Sequence, residues 1–329
     1  MKKMHLGSSS RLSGIFLLIL SFVICYSVQS QVLPKGFKLD LKKSESNAPP
    51  RSNFVVPKVL KNILTVPVTS NLPLSNFVSD IIVVGDTIWF ATGKGLSRTY
   101  NNGVNFDNFY NLPPFGVDDI PGMAVYKNFV VVSMATTTSS STQSDIPTGT
   151  GIRVSTDYGH NWSAYPQPKD LGPDSIKIPY GFWGTQHIPD TIPALNVTVN
   201  QDNLSYAVLI TKKNLVSDSI VIWIASWAGE IRKSTDYGAS FQRVVLPPDG
   251  LDSITFYHQY SYDTVFTYEP VRNNNFKGFS LAAENDSTIY VGTADGINKS
   301  TDWGLSWRKY NYVNTGNGTG ICGNFVVSD

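Results

Sequence analysis

Ser300-Thr-Asp-Trp-Gly-Leu-Ser-Trp307 is the stretch that decides how this chain is read, because versions of it stand at three other places. Ser155-Thr-Asp-Tyr-Gly-His-Asn-Trp162 and Ser234-Thr-Asp-Tyr-Gly-Ala-Ser-Phe241 are near copies. Thr99-Tyr-Asn-Asn-Gly-Val-Asn-Phe106 is looser, with Asn101 in the acid slot. The shared form is Ser/Thr-x-Asp/Asn-x-Gly-x-x-Trp/Phe, and each fixed position has a mechanical use. The short acid or amide (Asn101, Asp157, Asp236, Asp302) accepts hydrogen bonds from backbone N–H groups just beyond it and closes a turn. The hydroxyl of Thr99, Ser155, Ser234 or Ser300 offers a second local bond. The glycine (Gly103, Gly159, Gly238, Gly304) takes the positive φ that a tight hairpin requires. The ring three places later (Phe106, Trp162, Phe241, Trp307) buries a large apolar area and pins the turn to what lies beneath.

The words before each copy repeat too. Asp86-Thr-Ile-Trp-Phe-Ala-Thr92, Asn128-Phe-Val-Val-Val-Ser133, Ser219-Ile-Val-Ile-Trp-Ile-Ala225 and Ser287-Thr-Ile-Tyr-Val-Gly-Thr293 are apolar strands. Short alternating segments follow: Leu96-Ser-Arg98, Ile152-Arg-Val154, Ile231-Arg-Lys233 and Ile297-Asn-Lys299. Strand, turn, strand, box turn and aromatic-led strand make a four-strand unit, and its recurrence predicts an all-β chain folded as a β-propeller. The blades are expected at about 75–114, 120–168, 190–248 and 270–312. Cys322-Gly-Asn-Phe-Val-Val-Ser-Asp329 matches the opening of a unit, as Asn76-Phe-Val-Ser-Asp80 does, so 321–329 reads as a partial fifth blade and the ring as incomplete.

Over residues 75–329 the chain resembles the Asp-box, or BNR-repeat, proteins: sialidases, the sortilin ectodomain, xyloglucan-cleaving glycoside hydrolases and the photosystem II assembly propeller. The resemblance implies that the boxes lie on the blade periphery, away from the ligand face, and serve as scaffold. Sialidases of this kind use an Arg-Ile-Pro motif whose arginine forks onto a substrate carboxylate. Here Asp119 precedes Ile120-Pro121 and Thr191 precedes Ile192-Pro193, so the cation is missing at both places.

Ahead of the repeats, Lys2, Lys3 and Arg11 lead into an apolar run from Gly14 to Val28 with small residues before Gln31, the pattern of a signal peptide over residues 1–30. Export is therefore expected, to the medium or the cell surface, with the periplasm the other compartment open to it. No stable membrane insertion is expected after cleavage, since the run is short for a span of about 20 residues. Residues 31–74 read as a linker, with Phe54 to Val68 apolar enough to dock as an additional strand.

Loss of the leader would change the formal charge from +1 to about −2, so nucleic acid is not an expected partner. Cys322 would be the sole cysteine of the mature chain, which excludes a disulfide framework. The isolated histidines and the absence of Cys-x-x-Cys or His-Glu-x-x-His give no basis for a metal site, and no phosphate or dinucleotide loop is present, so no cofactor is expected.

Thr136-Thr-Thr-Ser-Ser-Ser-Thr142 and its continuation to Thr150 interrupt the second unit and are expected to be a disordered loop, or else a recognition loop. Trp183 and His187 in the insertion before the third unit, and Tyr257, Tyr260 and Tyr262 before the fourth, are the candidate ligand contacts. No catalytic residue is assigned. Asp118, Asp119, Asp170, Asp174, Asp249, Asp252 and Glu269 are acids outside the boxes from which a two-carboxylate hydrolase would have to draw. Two readings stay open: a binding scaffold for a protein or glycan ligand, and a polysaccharide hydrolase of the Asp-box kind.

Overall fold

The computed structural model describes residues 59–141, 143–170, 195–215, 219–249 and 273–310, with backbone alone at 175–177, 191–193 and 253–254. All lie in the second of two units, Leu41–Asp329. Helix among them is confined to one 3₁₀ turn, Asn274–Phe276. Everything else regular is strand.

Two short strands, β1 (Leu60–Leu64) and β2 (Val68–Ser70), precede the repeats. Blade 1 is β3 (Val78–Val84), β4 (Thr87–Thr92), β5 (Gly95–Thr99) and β6 (Phe106–Phe109); blade 2 is β7 (Met123–Tyr126), β8 (Phe129–Thr138), β9 (Ile146–Ser155) and β10 (Asn161–Tyr165). A small pair, β11 (Ser175–Lys177) with β12 (Thr191–Pro193), intervenes. Blade 3 is β13 (Ser205–Lys212), β14 (Ile220–Ser226), β15 (Glu230–Ser234) and β16 (Gln242–Arg243). After β17 (Ser253–Ile254), blade 4 is β18 (Gly278–Ala283), β19 (Ile289–Thr293), β20 (Gly296–Ser300) and β21 (Trp307–Tyr310). Each blade is an antiparallel meander, as the repeated words predict, and the four form successive blades of a β-propeller.

Three sheets carry a fifth strand on the edge beside their fourth. β2 pairs with β6 of blade 1, β1 pairs with β10 of blade 2, and β17 pairs with β21 of blade 4. These additions cover N–H and C=O groups that an edge strand otherwise leaves open.

Alternation along each strand sends one set of side chains to each neighbouring sheet, so the core lies between blades. Trp89, Leu96 and Phe109 of blade 1 meet Met123, Val130, Val132 and Trp162 of blade 2. Val131, Ile152 and Val154 of blade 2 meet Val208, Ile222 and Ile224 of blade 3. Trp223 and Ile231 of blade 3 meet Ile289, Val291 and Trp307 of blade 4. Among the described residues no hydrophobic cluster joins blade 4 to blade 1, so these four blades do not close into a ring by themselves.

One contact recurs at each junction. Strands two and three of a blade hold a cross-strand pair, Trp89 with Arg98, Val131 with Val154, and Trp223 with Lys233. The two cations lie 5.2 Å and 5.3 Å from their indole centroids. The box of the following blade seats on that pair. A Cβ at Gly159 would stand 2.9 Å from Trp89 Cη2, one at Gly238 would stand 3.1 Å from Val154 Cγ2, and one at Gly304 would stand 2.5 Å from Trp223 Cη2. Arg98 also donates to the carbonyl of Tyr158 at 2.6 Å. The box thus locks its own hairpin and fills the preceding blade's pocket.

The Thr/Ser-rich run differs from expectation. Thr136–Thr138 extends β8 and pairs residue for residue with Ile146–Thr148 of β9, from Thr136↔Thr148 to Thr138↔Ile146. Threonine is β-branched and suits a pleated ladder once a partner strand is available; here the hairpin's other arm supplies it.

Candidate functional site

The boxes share one hydrogen-bond scheme. Ser155 Oγ donates to Asp157 Oδ1 at 2.9 Å and accepts from Gly159 N at 2.8 Å, while Asn161 N donates to the same carboxylate oxygen at 2.8 Å. The Ser234/Asp236 and Ser300/Asp302 sets repeat this, and Thr99 with Asn101 reproduces it with an amide. Two features escaped the consensus. The residue before the ring is a donor: Asn161 Nδ2, Ser240 Oγ and Ser306 Oγ reach the second carboxylate oxygen at 2.6–2.7 Å. The residue before the glycine also has positive φ (Asn102, Tyr158, Tyr237, Trp303), so both central residues match a type I′ hairpin even though three are aromatic. Partial burial pushes the Asp157 and Asp236 carboxyls up, but the bonds from Asn161, Ser155, Ser240 and Ser234 outweigh it and hold both below the usual value. These acids are fully engaged by their turns.

The chemistry of interest lies at the other end of the same strands. Strand three of each blade ends at a box, and four residues before the box's first residue blades 1, 2 and 4 place Gly95, Gly151 and Gly296, all at positive φ. A Cβ would meet the backbone of the fourth strand at 2.2 Å from Phe109 O and 2.1 Å from Tyr165 O. Blade 3 puts Glu230 in that slot, at φ 63° and wholly buried. An acidic side chain held in the left-handed region departs from the rule kept by the other blades, and such departures cluster at functional positions. Among the described residues neither carboxylate oxygen accepts a hydrogen bond. Burial pushes this carboxyl up to about 8, against the pull of Arg243 and Arg232.

Around it the connection from blade 2 contributes Asp170. Arg232 forks onto this carboxylate at 2.9 Å and 3.1 Å, Arg243 Nη2 donates to it, and Val197 N caps it at 2.7 Å. Arg243 Nε lies 3.4 Å from Glu230. Burial would raise Asp170, but Arg232 and Arg243 keep it ionised and lower it. Arg153, which occupies the matching place in blade 2, donates to Pro114 O at 2.6 Å; burial lowers it to about 10, so it too stays charged at neutral pH. Beside the cluster, Trp227 stands in the turn before Glu230 and is 37% exposed. Phe279 meets it edge-on at 5.2 Å and Lys277 Nζ lies 5.1 Å from its centroid.

The remaining expected acids are placed as follows. Asp118 accepts from Thr150 Oγ1 at 2.7 Å, and Asp249 accepts from the N–H groups of Asn274 and Asn275 at 2.9 Å and 2.8 Å. Asp119 pairs with Ala135 through its backbone. Asp174, Asp252 and Glu269, like the expected contacts Trp183, His187, Tyr257, Tyr260 and Tyr262 and the partial blade 321–329, lie outside the described residues. At the box end a groove of about 350 Å³ opens between blades 1 and 2, lined by Trp89, Arg98, Asp107, Lys127, Tyr158 and His160. Among the described residues no three His, Cys, Asp or Glu side chains group as metal ligands, and no helix is long and apolar enough to cross a membrane.

No family model and no curated protein matches the chain. Among solved structures, an ancestral GH74 enzyme aligns with 78% of this chain and 28% of its own length at 15% identity and a TM-score of 0.44. The GH74 xyloglucanase from Xanthomonas campestris aligns with 76% of this chain and 32% of its own, at 12% identity and a TM-score of 0.40. YCF48 bound to D1 peptide aligns with 82% of this chain and 88% of its own, at 12% identity and a TM-score of 0.23. The chain spans about a third of the length of the two GH74 enzymes.

Proposed function

We propose that this chain is an exported β-propeller that binds a protein or glycan ligand through the loop ends of its blades, opposite the boxes. The observation that carries the reading is the engagement of the loop-side carboxylates. Asp170 is held by two arginines, Asp249 by two backbone N–H groups and Asp118 by a threonine hydroxyl, each in a structural bond. A hydrolase needs a pair of carboxyls facing a substrate. The side chain best placed to meet a ligand is instead Trp227, an exposed ring propped by Phe279 and Lys277, the sort of rigid amphipathic anchor that dominates recognition surfaces.

Glu230 supports the second reading, a glycoside hydrolase. A carboxyl that holds its proton near neutral pH is what a general acid requires. Its complete burial favours the scaffold, since a substrate oxygen has no path to it in this arrangement. The test is a panel of polysaccharides and peptides assayed for both binding and release of new reducing ends. Saturable binding that weakens at least tenfold in Trp227→Ala, with no release, is the expected result. Release that disappears in Glu230→Gln would replace the scaffold with the enzyme.

A further inference from the structure

The first two junctions between blades differ at the box end, and the difference is one of side-chain size. Ladder register makes Val84 and Thr87 of blade 1 the equivalents of Tyr126 and Phe129 of blade 2. Each is the closing pair of a first hairpin, and the next residue, Ile88 or Val130, pairs with the first box residue, Thr99 or Ser155. At the second junction Phe129 stacks on Tyr237, the residue before the box glycine of blade 3, with centroids 5.8 Å apart and planes inclined by 16°. At the first junction Tyr158 holds the place of Tyr237, but Thr87 brings no ring to it. Among the described residues no ring stacks on Tyr158, which is 55% exposed against 40% for Tyr237. Val84, Thr87 and Tyr158 all line the groove of about 350 Å³, so the space lies where blade 2 puts its two rings.

We propose that this groove binds a flat aromatic ring that carries a carboxylate, the ring lying on Tyr158 as Phe129 lies on Tyr237. It is a second site, at the opposite end of the blades from Trp227, and it does not depend on the reading given for the loop ends.

The chain itself supplies the template for the ring. Offset aromatic pairs with centroids about 4.5–7 Å apart are favourable beyond the area they bury. The groove also falls within the span of small-molecule sites, about 300–1,000 Å³. Tyr158 is a fixed platform, because Arg98 donates to its carbonyl at 2.6 Å and its own N–H donates to Asn128 O at 2.9 Å. A ligand therefore meets a ring whose backbone is already ordered.

The polar lining selects the head group. Its one acid, Asp107, faces Arg98 at 3.2 Å and accepts from Thr69 Oγ1 at 2.9 Å, so it is occupied. Lys127 and His160 are exposed beside the groove. Lys127 Nζ also lies 5.6 Å from the Tyr126 centroid, but an ammonium has three N–H groups and its other contacts leave room for an acceptor. The Thr87 hydroxyl is a further donor. A lining that offers donors and has its acid engaged suits an anionic acceptor, and an amine in the same place would meet cations.

Isothermal titration of the full chain with 3-phenylpropionate tests this, beside 3-cyclohexylpropionate, 3-phenylpropylamine and the tripeptide Gly-Gly-Phe. Two variants borrow from the chain's own repeats. Thr87→Phe writes the residue of blade 2 into blade 1 and fills the groove. Tyr158→Asn removes the platform and copies Asn102, which stands in the same box slot of blade 1 at φ 56° against 59°. Circular dichroism and urea midpoints check the fold, and Tyr158→Asn decides alone if Thr87→Phe does not fold. The wild type is expected to take one equivalent of 3-phenylpropionate with a dissociation constant on the order of 0.1–1 mM. Both variants should weaken it at least tenfold, Lys127→Met about two- to fivefold, and Trp227→Ala not at all. The cyclohexyl acid should bind about two- to tenfold less tightly than the phenyl acid, and the amine less tightly again. Tighter binding of Gly-Gly-Phe than of the free acid would assign the site to a peptide terminus, and weaker binding to a free aromatic acid. No binding of any probe well above that range, a cyclohexyl ring or an amine that binds as well as the phenyl acid, or a folded variant of unchanged affinity would each overturn the proposal.

Discussion

Gly159 rests against the indole of Trp89 across the gap between the first two blades, so closely that a methyl group there would come within 2.9 Å of Cη2. The residue that permits the hairpin also permits two sheets to approach.

Gly159→Ala therefore incurs two penalties. The left-handed backbone costs about 1–2 kcal/mol for a residue with a Cβ, and overpacking against Trp89 adds about 1–3 kcal/mol. Gly103→Ala meets the first penalty only. Urea unfolding should place Gly159→Ala below Gly103→Ala in stability; equal losses would mean that the blade contact contributes nothing.

The box acids set the behaviour in acid. Asp157, Asp236 and the arginine-bound Asp170 all titrate below their ordinary 3.8 in the folded chain. Their contribution is thus fully present above pH 3.8 and is lost as pH falls through the lower folded values. The double variant Asp157→Asn/Asp236→Asn should be less stable at pH 7, by about 1–3 kcal/mol per lost charged acceptor, and should lose less on acidification. Denaturant midpoints between pH 2.5 and 7 give the slope, and an unchanged slope would contradict the assignment.

Glu230 works in the opposite sense. Its carboxyl is raised by burial from 4.5 to about 8, so between those values the unfolded chain is ionised while the folded chain keeps the proton. Folding takes up a proton there, and stability should fall as pH rises from about 4.5 to about 8, by at most about 1.4 kcal/mol per pH unit. Glu230→Gln should remove that decline. A wild type with no fall in this range would show that the carboxyl ionises in place.

Asp170→Asn would strip Arg232, whose side chain is 2% exposed, of its forked counter-charge. Breaking a buried pair in this way costs about 3–5 kcal/mol. Arg232→Met in the same chain should recover part of the loss, because the orphaned cation goes with it. Strict additivity in the double-mutant cycle would rule out coupling between the two.

The fold was legible because each box position demands a residue type for a local reason. Ser155, Asp157 and Gly159 complete their bonds within five residues, so a short window contains the whole device. The long arm of blade 2 was not legible, since Thr136 needs Thr148 to become a strand and composition carries no pairing. The acid–arginine cluster was hidden for the same reason, with Asp170 and Arg232 62 residues apart. Glu230 did leave a trace, a glutamate in the slot where Gly95, Gly151 and Gly296 stand, visible only when the four repeats are laid over one another.

The placement of β1 has a consequence for biogenesis. Leu60–Leu64 is made before any blade, yet its partner Asn161–Tyr165 emerges about a hundred residues later. At roughly 5–20 residues per second the wait is on the order of 5–20 s, during which a strand with no mate trails from the growing chain. A strand made before every blade thus waits for the second blade, and fastens it after it has formed.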